Sequence, residues 1–264
     1  MRTTTCILAA LSCAAPAFEP LPWEAGQWAS YEDTTGAVAA TVSVVEKAEG
    51  RRLQFDLMLP GVGTLVAQLA LNDDGLEVIG EEVARHLREP GARSQELPAD
   101  LASLLDRYGM QGGEILLGVD SPELGDRLVL SVSPELLGEI ASAFGEFDGL
   151  FPPEPPDYDV EDGVEVEVPA GGFVCRKISS GTGDAWYAEE VPLFGLVRLV
   201  IPDEQGGAGT VLELSKYGLA EAGDSLAGWP SPLPLEAFLG LMETGQGYEP
   251  YTETDALGNK KPRG

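Results

Sequence analysis

The sequence predicts a mainly β fold of the α+β type: an antiparallel sheet with a few short helices packed on one face. Three observations carry this. Apolar and polar residues alternate over short runs, Gly and Asn/Asp clusters punctuate those runs at hairpin spacing, and helical periodicity is confined to a few brief stretches. The 264 residues, 44% of them hydrophobic, suffice for one large domain or two small ones.

The elements follow in order. Residues 26–32 alternate around Trp28 as a first strand, and residues 38–45 form a small-residue, β-branched second strand. Arg51 to Leu59 then sets Leu53, Phe55, Leu57 and Leu59 against Arg52, Gln54, Asp56 and Met58, the period of a half-buried strand. Thr64 to Leu71 repeats the pattern. Asn72-Asp73-Asp74-Gly75 has the residues that tolerate positive φ in tight turns, so Leu76 to Ile79 is expected to return as the paired strand. Leu97, Leu101, Leu104, Leu105 and Tyr108 recur at helical spacing behind Pro98. Ser133-Pro134-Glu135 starts a second helix, with the serine as cap, the proline in the first turn and the glutamate at the positive end of the dipole. Between the helices, residues 114–119 and 127–132 read as short strands.

Phe151-Pro152-Pro153-Glu154-Pro155-Pro156 opens an extended connector over 151–157, because its prolines enter neither a helix nor a sheet interior. The strands on either side are alike, so residues 18–218 are expected to form one domain with a continuous sheet. Asp157 to Gly163 invites a calcium reading, yet the sixth and twelfth places of an EF-hand loop fall on Asp162 and Val168 instead of Gly and Glu. An acidic turn leading into the strand Val164 to Val168 is the simpler reading. Phe173 to Ile178, Asp184 to Glu190, Leu196 to Ile201 and Thr210 to Tyr217 continue as strands. Pro192 must lie at an edge or bend, and Gly195 at a close backbone approach or bulge. Residues 219–264 are polar and rich in Gly and Pro, which predicts a mobile tail with one short helix over 234–242.

The order Pro169-Ala170-Gly171-x-Phe173-x-Cys175, Trp186-Tyr187, Val191-Pro192-Leu193-x-Gly195-Leu196-Val197-Arg198 and Leu214-x-x-Tyr217-Gly218 resembles the C-terminal part of the LolA, LolB and LppX-like group of exported bacterial proteins. The likeness covers residues 168–218, and the first meander only by element order. It implies a curved half-barrel sheet wrapped around helices, and by analogy of fold a lipid or other apolar ligand held between them. Its motifs are a turn, a hairpin and a corner, none of them catalytic.

The N-terminus predicts export. Arg2, the apolar segment Ile7 to Leu11 and the small residues after it make residues 1–17 a signal. Two endings compete: acylation and cleavage before Cys13, where Leu11-Ser12-Cys13 resembles a lipobox with Ala10 in place of the usual Leu, or cleavage after Ala17 at Ala15-Pro16-Ala17. The first yields a lipoprotein of the cell envelope, periplasmic or attached to the outer membrane, and the second a secreted protein. A formal net charge of −28 repels nucleic acid and anionic headgroups, so the expected membrane contact is the lipid at Cys13 alone. With Cys6 and Cys13 in the signal, Cys175 is left without a disulfide partner, and core packing must hold the fold.

His86 is the single histidine, which leaves Cys175 with His86 as the one nucleophile-base pair, and Cys175 lies in an apolar strand. No Gly-x-Ser-x-Gly elbow, His-Glu-x-x-His helix or phosphate loop is present. No catalytic residue, metal ligand or cofactor is therefore assigned. Trp28, Phe55, Leu57, Phe173, Trp186 and Phe194 are the candidates to line an apolar cavity, a role that needs the same residue types as a packed core. Two functions follow: an anchored envelope protein that binds or carries a hydrophobic ligand, or a non-catalytic structural or protein-interaction module of the envelope with a filled core.

Overall fold

The computed structural model describes residues 18–34, 39–48, 50–72, 74–90, 115–122, 127–133, 136, 157–203, 209–243, 251–254 and 260–262. The signal with Cys13, the helix expected over 97–108, nearly all of the helix begun at Ser133 and the connector 151–156 lie outside them. Of that second helix, the start is visible: the Ser133 hydroxyl accepts a 3.1 Å hydrogen bond from the Leu136 amide, as a cap should.

The first half contributes β1 (Trp28–Asp33), β2 (Ala39–Lys47), β3 (Gly50–Leu59), β4 (Gly63–Leu71), α1 (Gly75–Arg88), β5 (Ile115–Asp120) and β6 (Leu128–Val132). The second contributes β7 (Asp159–Val168), β8 (Gly171–Ser180), β9 (Gly183–Tyr187), β10 (Leu196–Ile201), β11 (Thr210–Gly218), β12 (Leu233–Pro234) and α2 (Leu235–Glu243), with a separate hairpin of β13 (Tyr251–Thr254) and β14 (Lys260–Pro262). β1 to β12 form one open 12-stranded sheet in the order β12-β6-β5-β4-β3-β2-β1-β11-β10-β9-β8-β7. Every pairing is antiparallel except that of β12 with β6. The two halves meet where β1 pairs with β11, Trp28 opposite Gly218 and Tyr31 opposite Leu214.

The sheet is mainly β, open and curved. Its β7–β8 end turns back on β11: the Ala170 amide donates to the Leu214 carbonyl at 3.1 Å, and Arg198 donates to the Glu167 carbonyl at 2.7 Å. Ala29, Tyr31, Phe173, Cys175, Val197 and Leu214 pack into one buried cluster there.

On one face of β2 to β6 the period-two alternation brings Val44, Leu53, Leu71, Ile115 and Val132 together, closed by Trp23, Leu76 and Leu193. Trp23 locks this cluster. Its indole N–H donates to the Leu193 carbonyl at 2.8 Å, its ring meets Phe194 edge-on at 5.0 Å, and it lies on Gly80 of α1, where a Cβ would come within 3.0 Å of the ring. Leu193 adopts φ 63°, a left-handed conformation costly for a residue with a branched side chain. The buried corner from Val191 to Gly195 carries that strain, and Pro192 sits in its bend, where no ladder N–H is needed.

Three expectations are corrected. Residues 76–79 belong to α1, not to a returning strand. Leu76, Ile79, Val83 and Leu87 recur at helical spacing and pack against the core, while Asn72 Oδ1 accepts the Gly75 amide at 2.6 Å, so the Asn-Asp-Asp-Gly run opens a helix. The acidic stretch from Asp159 to Asp162 is strand, and Gly163, at φ 77°, forms a bulge in the middle of β7. Residues 219–234, read from composition as tail, pack across the sheet.

α1 is tied to the second half by Arg176 of β8. The guanidinium donates to the Leu87 and Arg88 carbonyls at 2.9 and 3.3 Å, satisfying orphan acceptors at the helix C-terminus, and its other side takes Asp162 at 2.6 and 3.0 Å. The Phe18 ring lies 4.9 Å below it. Arg176→Ala is expected to lower the unfolding free energy by about 2 kcal/mol in urea titrations, since the part-buried Leu87 carbonyl, the Arg88 carbonyl and a carboxylate lose a charged donor together. Asp162 is half exposed, so Asp162→Asn should cost no more than about 1 kcal/mol at neutral pH. Hydrogen bonding from Arg176 holds the Asp162 carboxyl below its ordinary pKa, so its stabilisation is present above the usual aspartate range. The difference between wild type and Asp162→Asn should therefore vanish as pH falls through the lowered value. A difference that grows in acid would be incompatible with this pairing.

Candidate functional site

The opposite face of the sheet carries a polar row. Alternation places Thr41 and Ser43 of β2, Gln54 and Asp56 of β3 and Gln68 of β4 there, with Val66, Leu116 and Val129 further along. Such a row would ordinarily face water. Here residues 219–232 leave the end of β11 and cross this face from β1 to β6, where Leu233 and Pro234 add β12. The strap is pinned at its start by the Ala222 amide on the Gly26 carbonyl at 2.9 Å, and beyond its middle by Leu226 and Trp229 against Val66, Leu116 and Val129. Gly118 makes room for it, because a Cβ there would come within 2.5 Å of Leu226 and 3.0 Å of Trp229. The Arg127 guanidinium covers the Trp229 ring at 5.0 Å.

Between these anchors the strap bonds to the polar row. Gln54 is 1% exposed and Gln68 fully buried, so both amides need partners inside the protein. Gln54 Nε2 lies 2.9 Å from Asp56 Oδ2, 2.9 Å from Ser225 Oγ, 3.1 Å from the Gly223 carbonyl and 3.3 Å from Ser43 Oγ. Gln68 donates to Gln54 Oε1 and Asp224 Oδ1, both at 2.7 Å. Ser225 donates its hydroxyl to Asp56 at 2.8 Å and its amide to Gln54 at 3.1 Å. Lys47 pairs with Asp224 at 3.0 Å.

An open cleft of about 300 Å³ lies beside this network, lined by Trp28, Thr41, Ser43, Gln54, Asp56, Glu221, Gly223, Asp224 and Ser225. Trp28 is its apolar wall. The indole is seated over Gly218, where a Cβ would approach Nε1 to 2.5 Å. Burial raises the Asp56 pKa against the bonds from Ser225 and Gln54. Burial also raises Asp224, but Lys47, Gln68 and the Leu226 amide outweigh it and leave that carboxyl below its ordinary value.

Of the residues expected to line an apolar cavity, Trp28 alone borders this cleft. Phe55 and Phe194 pack on the Trp23 cluster with ring centroids 6.5 Å apart, and Leu57, half-buried, lies on the same face as Phe55. Phe173 and Trp186 belong to the cluster at the curved end. There Phe173 meets Tyr217 at 6.1 Å, and Trp186 lies under Lys177 and Arg198 at 5.1 and 5.9 Å. Cys13 lies outside the described residues.

Sequence reasoning missed Gln54, Gln68, Asp56 and the strap residues Asp224 and Ser225. Two signals pointed toward them: neutral amides at matching positions of consecutive strands, Gln54 opposite Gln68, and a glycine within β5. A purely solvated face has no need of either. Among the described residues no group of His, Cys, Asp and Glu is arranged to hold a metal. His86 is exposed on α1 and edge-on to Tyr158 at 5.9 Å, with partial desolvation and Arg85 lowering its pKa.

No protein-family model matches the chain, and no curated protein matches it. Among solved structures, it is similar to a candidate lipoprotein from Parabacteroides distasonis at 14% identity and TM-score 0.29, covering 76% of this chain and 98% of that one. A candidate exported protein with a YmcC-like fold from Bacteroides fragilis matches at 15% identity and TM-score 0.27, with coverages of 76% and 99%. An uncharacterized conserved protein from Thermus thermophilus matches at 13% identity and TM-score 0.27, with coverages of 77% and 83%. At identities and scores this low, the likeness assigns neither a ligand nor a place in the cell, and none of the three carries the LolA name.

Cys175 is 1% exposed, and burial pushes its thiol pKa up to about 11. At pH 8 the folded protein should leave Cys175 unmodified by iodoacetamide under conditions that alkylate it fully in urea, as read by peptide mapping. Rapid alkylation in the folded state would contradict its placement in the core.

Proposed function

We propose that the chain is an exported protein, anchored through a lipid on Cys13, that serves as a non-catalytic structural or protein-interaction module of the cell envelope with a filled core. The export signal and the Leu11-Ser12-Cys13 sequence support the anchor. One observation supports the filled core: the apolar surface on each face is occupied by the chain's own side chains, Trp23, Leu76, Phe194 and Leu193 over β2 to β6 on one face, Leu226 and Trp229 over β4 to β6 on the other. A carrier of acyl chains needs an apolar cavity of several hundred Å³. Phe55, Phe173, Trp186 and Phe194, which would line one, pack instead within two buried clusters. The acidic surface then favours basic partners, whose approach it accelerates at low ionic strength.

Organic extraction of the purified mature protein, followed by mass spectrometry, tests the filled core. The expected extract contains no lipid, because a covalent anchor stays with the protein. A second lipid recovered reproducibly at one per chain would establish a carrier in its place. Cys13→Ala separately tests the tether: the variant should move from the membrane to the soluble fraction, and retention on membranes would defeat acylation at this residue.

A further inference from the structure

The turn between β3 and β4 departs from the rest of the surface. Residues 57–72 are the longest stretch beyond the signal without a charged side chain, in a chain of formal net charge −28. At its tip the Val62 amide donates to the Leu59 carbonyl at 3.1 Å across Pro60 and Gly61, and Gly61 lies at φ 77°, the geometry of a type II turn. Turns that face water ordinarily draw on polar residues. This one is Leu59-Pro60-Gly61-Val62, with Met58 57% and Val62 53% exposed and Pro60 and Gly61 exposed between them. The β2–β3 turn at the other end of β3 has the usual composition, with Glu46, Lys47, Glu49 and Arg51 around it.

Register places this tip at the end of the sheet where the N-terminal segment is seated. Val160, Ile178, Ala185, Leu199, Leu212 and Asp33 form one row across β7, β8, β9, β10, β11 and β1, and the neighbouring row runs from Glu32 through Ala39 to Met58. Phe18 shares a buried cluster with Ile178 of that first row. The five steps of chain from Cys13 to Phe18 reach at most about 18 Å, so a lipid on Cys13 holds this end of the sheet at the bilayer. Six strand spacings, about 29 Å along the sheet, separate β8 from β3, so anchor and tip are two points along the same end.

We propose that the β3–β4 tip enters the interface of the bilayer that holds the anchor, through Met58, Leu59, Pro60 and Val62, and with the anchor sets the sheet on its end against the membrane. This rests on the lipid at Cys13 proposed above. The surface it fits is one of zwitterionic headgroups, because the acidic protein repels anionic ones. A lipid chain and a few apolar side chains are each a reversible hold, and the short tether makes the second contact intramolecular, so that the two add. Pro60 and the Val62 amide already fix the turn, so little ordering opposes its entry.

The acylated protein, reconstituted with phosphatidylcholine liposomes, tests this through a polarity-sensitive fluorophore on Met58→Cys or, at the opposite turn, on the exposed Ala48→Cys. Cys175 is buried, so the introduced cysteine takes the label. On floated liposomes the Met58 label is expected to shift to the blue and to be quenched by spin-labelled phosphatidylcholine, and the Ala48 label to do neither. Val62 is exposed, so Val62→Asp leaves the fold intact and should remove the quenching at Met58 while flotation persists. Failure to float would defeat the anchor and the tip contact together. Flotation with the Met58 label left in water, the result for a tip made to fit a protein partner, defeats the tip contact alone. Quenching that survives Val62→Asp, or equal quenching at Ala48, would also overturn it.

Discussion

The pairing of β1 with β11 is the contact on which the rest of the architecture depends. It joins a strand at residues 28–33 to one at 210–218, and through it two antiparallel runs become one 12-stranded sheet. A long-range antiparallel pair fixes register as well as proximity, because a slip by one residue would send every side chain to the wrong face. Here the register places Tyr31 opposite Leu214 inside the curved-end cluster and leaves Trp28 on the other face, over Gly218. Closing so long a loop is entropically costly and slows folding, although the cost rises only with the logarithm of loop length. The offsetting gain is burial along both joined halves.

From the end of β11 follows the second organising constraint. A strand that pairs in the middle of a sheet must send its chain over one of the faces, and this one crosses the polar row of β2, β3 and β4. Gln54 and Gln68 make that crossing specific. An apolar strap on an apolar face could slide; amides with directed bonds to Asp224, Ser225 and Gly223 hold it to one position, while Leu226 and Trp229 supply the apolar burial beyond. The cleft is what remains where the strap and the row do not meet. Its surplus of acceptors over donors arises from the same side chains that seat the strap.

Legibility in the sequence divides along the same line. The strands of residues 51–59 and 64–71 were readable because one of their faces is apolar and period two is a local property. The start of the helix at Ser133 was readable because a cap is also local. α1 was misread as a strand because Asn72 to Gly75 serve equally as a hairpin turn and as a helix entrance, and the packing of Leu76, Val83 and Leu87 decided between them. Trp28 was the one cleft residue singled out from sequence. Alternation alone does not mark Gln54 and Asp56, because a buried polar row and a solvated one share it; the facing amides Gln54 and Gln68 and the glycine within β5 are the local signs that this row is covered.

By itself the sequence determined the mainly β class of fold and predicted export, readings that rest on residue type and local spacing. Only the tertiary structure decided that β1 meets β11, that residues 219–234 cover a face instead of trailing in water, and that the candidate cavity aromatics pack in separate clusters. Each of these joins residues far apart in the chain. Period-two alternation says which side chains share a face, but what covers that face is settled by burial free energy and hydrogen-bond satisfaction over the whole molecule.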